Sequence, residues 1–299
     1  MYDQENYKIP SSFYDELKIV SSETIKSLDK LLPLINGPEN RLIDAMRYAS
    51  ISEGKCFRPF LLFCCAKIFS VSWLKIHEIA AALEMVHCYS LVHDDLPSMD
   101  DDSMRRGKPS CHVAYDEATS ILAGDALLTN AFFVISNSQK IDDDKVKINI
   151  ISKLSEAIGS SGMVGGQMLD ILSVKRNFHK DEILRIKELK TARLISVSCE
   201  IGGIIGGANN KELITLSNFG KKIGIAYQII DDLFDNDEIS ISNKSSSKFP
   251  NSLVRLSGVE ESRKYAKDLV QSAIISLNIF GPNADLLKNA AMFVLNRKN

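Results

Sequence analysis

The sequence predicts an all-α fold, read as one domain. Apolar residues recur at helical spacing along most of the chain, and no period-2 segment is bounded by hairpin turns. No internal repeat of solenoid length is present. Roughly ten or more helices are expected, packed around one core.

The first helix is predicted over residues 13–32, where Phe13, Leu17, Val20, Ile25, Leu28 and Leu31 share helical spacing. Pro33, Gly37 and Pro38 break it, and residues 41–51 read as the second. Gly54-Lys55-Cys56-Phe57-Arg58-Pro59 is a basic turn, with Pro59 suited to opening a helix through Ile68. A long apolar helix over residues 73–95 runs up to Pro97, which disturbs it. Helices follow over 116–137 and 142–158. Residues 162–170, rich in glycine, are expected to form a joint. Asp181 is the expected N-cap of a helix through about Ile205, and Asn210 the cap of another running to Asp235. Residues 236–248 are polar and serine-rich and read as a loop; 252–280 and 283–295 are the last two helices.

Composition removes several classes of function. Lys plus Arg is 36 and Asp plus Glu is 38, a net charge of −2, which argues against nucleic-acid binding. The six cysteines are scattered without a C-x-x-C pair, as expected for buried thiols in a reducing cytoplasm. The polar, acidic stretch 1–10 does not read as a signal peptide. No long uncharged apolar run points to stable membrane insertion; the nearest candidate, 194–208, is interrupted by Glu200.

The chemistry is concentrated in residues 93–107. Five carboxylates (Asp94, Asp95, Asp100, Asp101 and Asp102) follow the long apolar helix and precede Arg105 and Arg106. Like charges repel and resist desolvation, so a positive partner is expected there. Carboxylates without cysteine suit a hard cation such as Mg2+, and adjacent arginines suit phosphate oxygens. An echo lies at residues 227–235. Asp231 and Asp235, spaced i, i+4, lie about 6 Å apart on one helix face, with Gln228 one turn earlier. Asp94 and Asp100 are six residues apart and share no face of a regular helix, so a bulge or helix end at Pro97 must bring them together. Either cluster alone fits a solvated helix end. Two of them, one followed by Arg-Arg, favour a metal-bridged diphosphate site.

At this point the chain resembles the short-chain trans-prenyl diphosphate synthases, most closely the bacterial farnesyl diphosphate synthases. The likeness rests on Asp94-Asp95-(four residues)-Asp100, Arg105-Arg106-Gly107, Asp231-Asp232-x-x-Asp235 after Gln228, Gly54-Lys55-x-x-Arg58-Pro59, His87, Leu122-Ala-Gly-Asp125, Gly165-Gly166-Gln167-x-x-Asp170 and Lys190-Thr191. These occur in the family's order over nearly the whole chain. The resemblance implies an all-α helical bundle of the isoprenoid synthase type around a deep central cavity, working as a homodimer. The implied reaction joins isopentenyl diphosphate head-to-tail to an allylic diphosphate.

By resemblance, Asp94, Asp100 and Asp231 would be the main metal ligands, with Asp95 and Asp235 close by. About three Mg2+ would hold the allylic diphosphate, with Mn2+ as a substitute. Arg105, Lys190 and Gln228 would help bind that leaving group, and Lys55, Arg58, His87 and Arg106 would bind isopentenyl diphosphate. Thr191 would lie beside the reacting carbons. Taken alone, Lys55 and Arg58 also fit plain surface charges, His87 a structural histidine, and Gln167 and Asp170 helix-packing residues. Tyr89 lies five residues before Asp94, about 7.5 Å along the helix. An aromatic there, with the two-residue expansion of the first motif, resembles the C15 pattern; an ordinary core tyrosine is the alternative.

The chain departs from the family after Asp235. Where the family has a lysine four residues before a Tyr-Pro pair, this chain has Ser246 before Phe249-Pro250, with Lys244 and Lys248 shifted to either side. Lys248 or Lys244 would have to substitute in clamping diphosphate. The competing readings are a geranylgeranyl diphosphate (C20) synthase, a terpene cyclase and an impaired regulatory subunit. A cyclase gives Lys55, Arg58 and Arg106 no second diphosphate to bind, and a regulatory subunit does not account for two intact aspartate motifs.

Overall fold

In the computed structural model almost every periodic run of the sequence is a helix, because helices alone satisfy the backbone of such apolar segments internally. The structure describes residues 8–52, 54–173, 178–242 and 252–297, with backbone only at 237–242. The chain divides into two compact units. One comprises Tyr14–Phe63 and Val71–Ile151, the other Met1–Phe13, Cys64–Ser70 and Ser152–Asn299.

The first unit holds most of α1 (Ser11–Leu31), α2 (Asn40–Ser50), the start of α3 (Phe57–Ile68), α4 (Trp73–Asp94), a small hairpin of β1 (Met104–Arg105) and β2 (Lys108–Pro109), α5 (Cys111–Ala114) and α6 (Glu117–Asn137). Helix α4 is apolar all round, so it is buried all round. Ile76, Ile79, Ala80 to Leu83, Met85 and Val86 are fully enclosed, and α4 packs against α2 and α6. Asp116 caps α6 by accepting from the Thr119 N–H at 2.7 Å. Among the described residues α6 is the helix that matches a membrane span in length and composition, with a window of mean hydropathy 1.5. The expected nearest candidate was 194–208. Asp125 places a charge in the apolar run of α6, which packs on α2, α4 and α5.

The second unit is built on α11 (Asn210–Ser242), which packs on α10 (Arg193–Ile205), α13 (Val259–Ser276) and α14 (Asp285–Asn296). It also contains the end of α7 (Asp144–Ile158), whose start belongs to the first unit, and α8 (Met163–Ser173), α9 (Lys180–Lys187), a π-helical turn at Glu188–Ala192, and α12 (Leu253–Ser257). All six cysteines are buried.

Several expectations need correction. The glycine-rich stretch 162–170 is not a joint but most of α8. Its glycines permit close packing, since a Cβ on Gly166 would lie 2.2 Å from the Lys190 backbone nitrogen. The helix expected over 181–205 is broken by the π-helical turn, and His179 rather than Asp181 holds the N-cap, with Glu182 accepting from its N–H. Asn209, not Asn210, caps α11 through a reciprocal pair with Glu212. Helix α11 continues to Ser242, so residues 236–242 are helix rather than loop, and 243–248 lie outside the described residues. Gly258, at φ +84°, splits the 252–280 helix into α12 and α13. The β1–β2 hairpin escaped detection because its two-residue strands show no alternation.

Candidate active site

In the first unit the acidic motif is a turn at the carboxyl end of α4. The helix stops at Asp94, and Pro97 offers no N–H to continue it. The chain then folds back. The Asp100 N–H donates to the Asp94 carbonyl at 2.9 Å, and the Asp101 N–H to the Leu96 carbonyl at 3.2 Å, with Asp101 at φ +52°. Two residues six apart in sequence are thus adjacent. Asp94 is half-buried and Asp100 exposed.

The hairpin sends the two arginines to different partners. Arg105 pairs with Lys108 across it, while Arg106 (φ +52°) and Gly107 (φ +76°) form the two-residue turn. Both turn residues need left-handed backbone, which glycine accepts freely and arginine only at a cost. Arg105 donates to Asp95 from Nε at 3.0 Å and Nη2 at 2.5 Å, and reaches Asp102 at 3.3 Å. Asp95 is 2% exposed, and burial pushes its carboxyl above the usual range despite Arg105. Arg106 turns the other way, donating to Ser52 Oγ at 3.1 Å and lying 3.7 Å from Glu84 Oε1. Gly54 leaves room for it, since a Cβ there would be 3.1 Å from Arg106 Nη1.

Burial, reinforced by Arg58, Arg106 and Arg105, holds the half-buried His87 imidazole well below its usual pKa, so it is neutral near pH 7. Arg58 is half-buried and Lys55 exposed. Tyr89, one turn before His93, is 5% exposed and stacks edge-on against it at 5.7 Å. Burial, then Asp94, pushes the Tyr89 phenol up to about 12. His93 Nε2 lies 3.1 Å from the Ile121 carbonyl, in space that a Cβ on Gly124 would fill at 2.1 Å. The Ala-Gly-Asp sequence of α6 therefore seats His93.

In the second unit the aspartates stand on unbroken helix. Asp231 accepts from Arg297 Nη2 at 2.5 Å, and burial raises its carboxyl above the usual range. Arg297 also donates to the Tyr227 carbonyl at 2.8 Å and lies 3.6 Å over the Tyr227 ring. Asp232 accepts from Lys187 at 2.5 Å, both side chains under 10% exposed. Gln228 donates to Asp232 at 3.4 Å and accepts from the Thr191 hydroxyl at 2.8 Å. Lys190 donates to Asp170 at 2.7 Å. Lys190 and Thr191 sit in the π-helical turn, between Gly166 of α8 and Gly224 of α11, whose Cβ would meet Ala192 at 2.5 Å. Asp235 is half-buried on the same helix.

The structure thus gathers Asp94, Asp95, Asp100, Arg105, Arg106, Arg58, His87 and Tyr89 in the first unit. It gathers Lys190, Thr191, Gln228, Asp231 and Asp235 in the second. Lys248, with Lys244 and Ser246, lies outside the described residues. Sequence reasoning missed Glu84 and the pairing of Lys187 with Asp232, a motif residue given no role of its own. Only the burial implied by an apolar helix around Glu84 could have flagged the first, and nothing local pairs the other two.

Oxygen donors fit a hard cation. Among the described residues no three His, Cys, Asp or Glu side chains form a closed metal cage. Mg2+ needs only one or two carboxylates together with substrate phosphates and water. The cations at Asp95, Asp231 and Asp232 show that each cluster attracts positive charge.

An all-α fold carrying two such clusters defines an enzyme class that handles diphosphates. The chain belongs to the polyprenyl synthetase family, whose model matches residues 39–244. It is 38% identical to the farnesyl diphosphate synthase of Escherichia coli (strain K12) over 82% of this chain and 84% of that one. It is 33% identical to the geranylgeranyl diphosphate synthase of Cyanophora paradoxa over 99% of each. A solved FPP/GFPP synthase from Zymomonas mobilis superposes with a TM-score of 0.87 at 36% identity, covering 95% of this chain and 99% of that one. The fold is that of these all-α prenyl synthases.

Proposed function

We propose that the protein is a short-chain trans-prenyltransferase. It condenses isopentenyl diphosphate with dimethylallyl or geranyl diphosphate and releases farnesyl diphosphate and inorganic diphosphate. The observation that carries this reading is the family match over residues 39–244, which spans both aspartate clusters. The likeness to farnesyl diphosphate synthases, 38% identity for that of E. coli, favours the C15 product.

The residues have distinct tasks in this reading. Asp94 and Asp100 in the first unit, and Asp231 in the second, are the proposed Mg2+ ligands, with Asp95 and Asp235 in support. Bound Mg2+, about three per site or Mn2+ in its place, supplies Lewis-acid stabilisation of the leaving diphosphate. Arg105, Lys190 and Gln228 bind that diphosphate, each exchanging a partner it holds here. Lys248 is assigned to the same task. Lys55, Arg58, His87 and Arg106 bind isopentenyl diphosphate, with neutral His87 as a hydrogen-bond donor rather than a cation. Thr191, fixed by Gln228, lines the reacting carbons. The substrates' apolar chains must be kept dry, because water would capture an allylic cation. The departing diphosphate accepts the final proton, so no protein base is required.

We read residues 1–299 as one catalytic domain and the active form as a homodimer in the cytoplasm. Exposed Ile121, Leu122 and Phe133 on α6 support association, and six buried cysteines suit a reducing compartment.

The decisive test incubates purified protein with isopentenyl diphosphate, Mg2+ and either primer, with a chelator control, and identifies the dephosphorylated alcohols. Farnesol from both primers, lost on chelation, is expected; no condensation product refutes the reading. A C20 product is the second reading, favoured by the end-to-end likeness to the Cyanophora enzyme. Tyr89→Ser separates the two. It should shift wild-type farnesol toward geranylgeraniol; an unchanged product removes Tyr89 as the floor of the chain site.

A further inference from the structure

The most demanding charge in the first unit lies outside both aspartate motifs. Glu84 is 1% exposed, in the middle of the apolar helix α4. A carboxylate there is costly unless something positive compensates it. Two arginines do so. Arg106 Nη2 lies 3.7 Å from Oε1, and Arg58 contributes a second attraction, both drawing down a carboxyl that burial pushes up. Glu84 Oε2 is buried with no hydrogen-bond partner among the described residues. No packing requirement explains an acid at this position, because its neighbours Ala82, Leu83, Met85 and Val86 fill the same core with apolar groups. Arg106, in turn, is the first residue of the two-residue hairpin turn, at φ +52°, and that turn sets the direction in which its side chain leaves the backbone.

We propose that Glu84 is a positioning residue: its buried carboxylate is the shared counter-charge that aims Arg58 and Arg106 at the diphosphate of isopentenyl diphosphate. The inference rests on the reading of those two arginines as ligands of that substrate. Without Glu84, two guanidinium groups and no intervening anion would repel, and Arg106 would leave the direction its turn sets. With it, the pair is pre-oriented before substrate arrives, and less ordering is left for binding to supply. Ser52 completes the brace by accepting from Arg106.

The test is steady-state kinetics with both substrates varied on Glu84→Gln, Glu84→Asp and Arg106→Gln, each checked for native circular dichroism at the assay temperature. Glu84→Gln is expected to raise the KM for isopentenyl diphosphate about tenfold while changing that for geranyl diphosphate less than about twofold. Glu84→Asp, which keeps the charge, should recover most of the loss and serves alone if the glutamine variant does not fold. Four outcomes overturn the proposal. Both KM values rise together with a fall in Tm, which marks a structural role. The KM for isopentenyl diphosphate falls, which makes Glu84 a competitor of substrate. Arg106→Gln raises that KM while both Glu84 variants leave it unchanged, which sinks the role of Glu84 but spares the substrate site. Arg106→Gln itself leaves that KM unchanged, which removes the site reading and the inference together.

Discussion

Asp95 and Asp231 meet the same electrostatic difficulty, yet their counter-charges come from very different distances along the chain. Asp95 is held by Arg105, ten residues on, through a hairpin that is part of the same turn. Asp231 is held by Arg297, 66 residues away, and its neighbour Asp232 by Lys187, 45 residues away. The first cluster is a local device: a helix end, a proline, a left-handed turn and two arginines in one stretch. The second is plain helix that becomes a charged site only when α9 and α14 have packed on α11. One therefore tolerates disturbance of distant packing, and the other does not.

The sharpest way to test that contrast is at the chemistry itself. Asp94→Asn and Asp231→Asn should each lower kcat by roughly 100- to 1000-fold, the usual effect of removing one group that stabilises developing charge. A silent variant at either position would reduce its cluster to a structural feature. Stability should separate the clusters next. Lys187→Met leaves Asp232 buried and uncompensated, a loss of about 3–5 kcal/mol in denaturant unfolding. Arg105→Met should cost less, because Arg105 is 35% exposed and its hairpin can relax toward solvent. Equal losses would end the distinction between a local and an assembled cluster.

Metal affinity probes the parked cations. Arg297 must release Asp231 before a cation binds there. Arg297→Met should therefore tighten Mg2+ binding to the substrate-free protein about five- to tenfold by calorimetry, while lowering the Tm without metal. Weaker binding would make Arg297 a supporting residue rather than a stand-in.

The smallest effect is in the pH dependence of stability. The folded His87 resists protonation, whereas the unfolded chain takes up that proton near the ordinary value of 6.5. The unfolded state then binds more protons, so this contribution is full above about pH 6.5 and is lost as pH falls below it. Asp95 and Asp231 act in the opposite sense. Their raised folded values favour the fold in acid, and that contribution is lost as pH rises through them. His87→Gln should therefore flatten the decline in stability as pH falls below about 6.5. An unchanged profile would assign that decline elsewhere.

Sequence legibility followed the same division. The periodic helices and the turn at Pro97 were readable because each depends on neighbours in the chain. Glycine misled where it serves packing. At 162–170 it reads as a breaker, yet Gly166 sits inside α8 to let the Lys190 backbone approach. The π-helical turn at Lys190 and Thr191 had no signal, since it arises from contact with α8 and α11.

By itself the sequence determined the all-α class, the two aspartate clusters and the family. The first two follow from side-chain period and charge spacing, both local properties, and the third from the likeness of its motifs, in order along the chain, to those of a known family. Tertiary structure alone decided which cation answers which carboxylate: Lys187 to Asp232, Arg297 to Asp231, and Arg106 toward Glu84. A buried charge takes whichever opposite charge the packed helices bring within reach, and sequence separation places no limit on that choice.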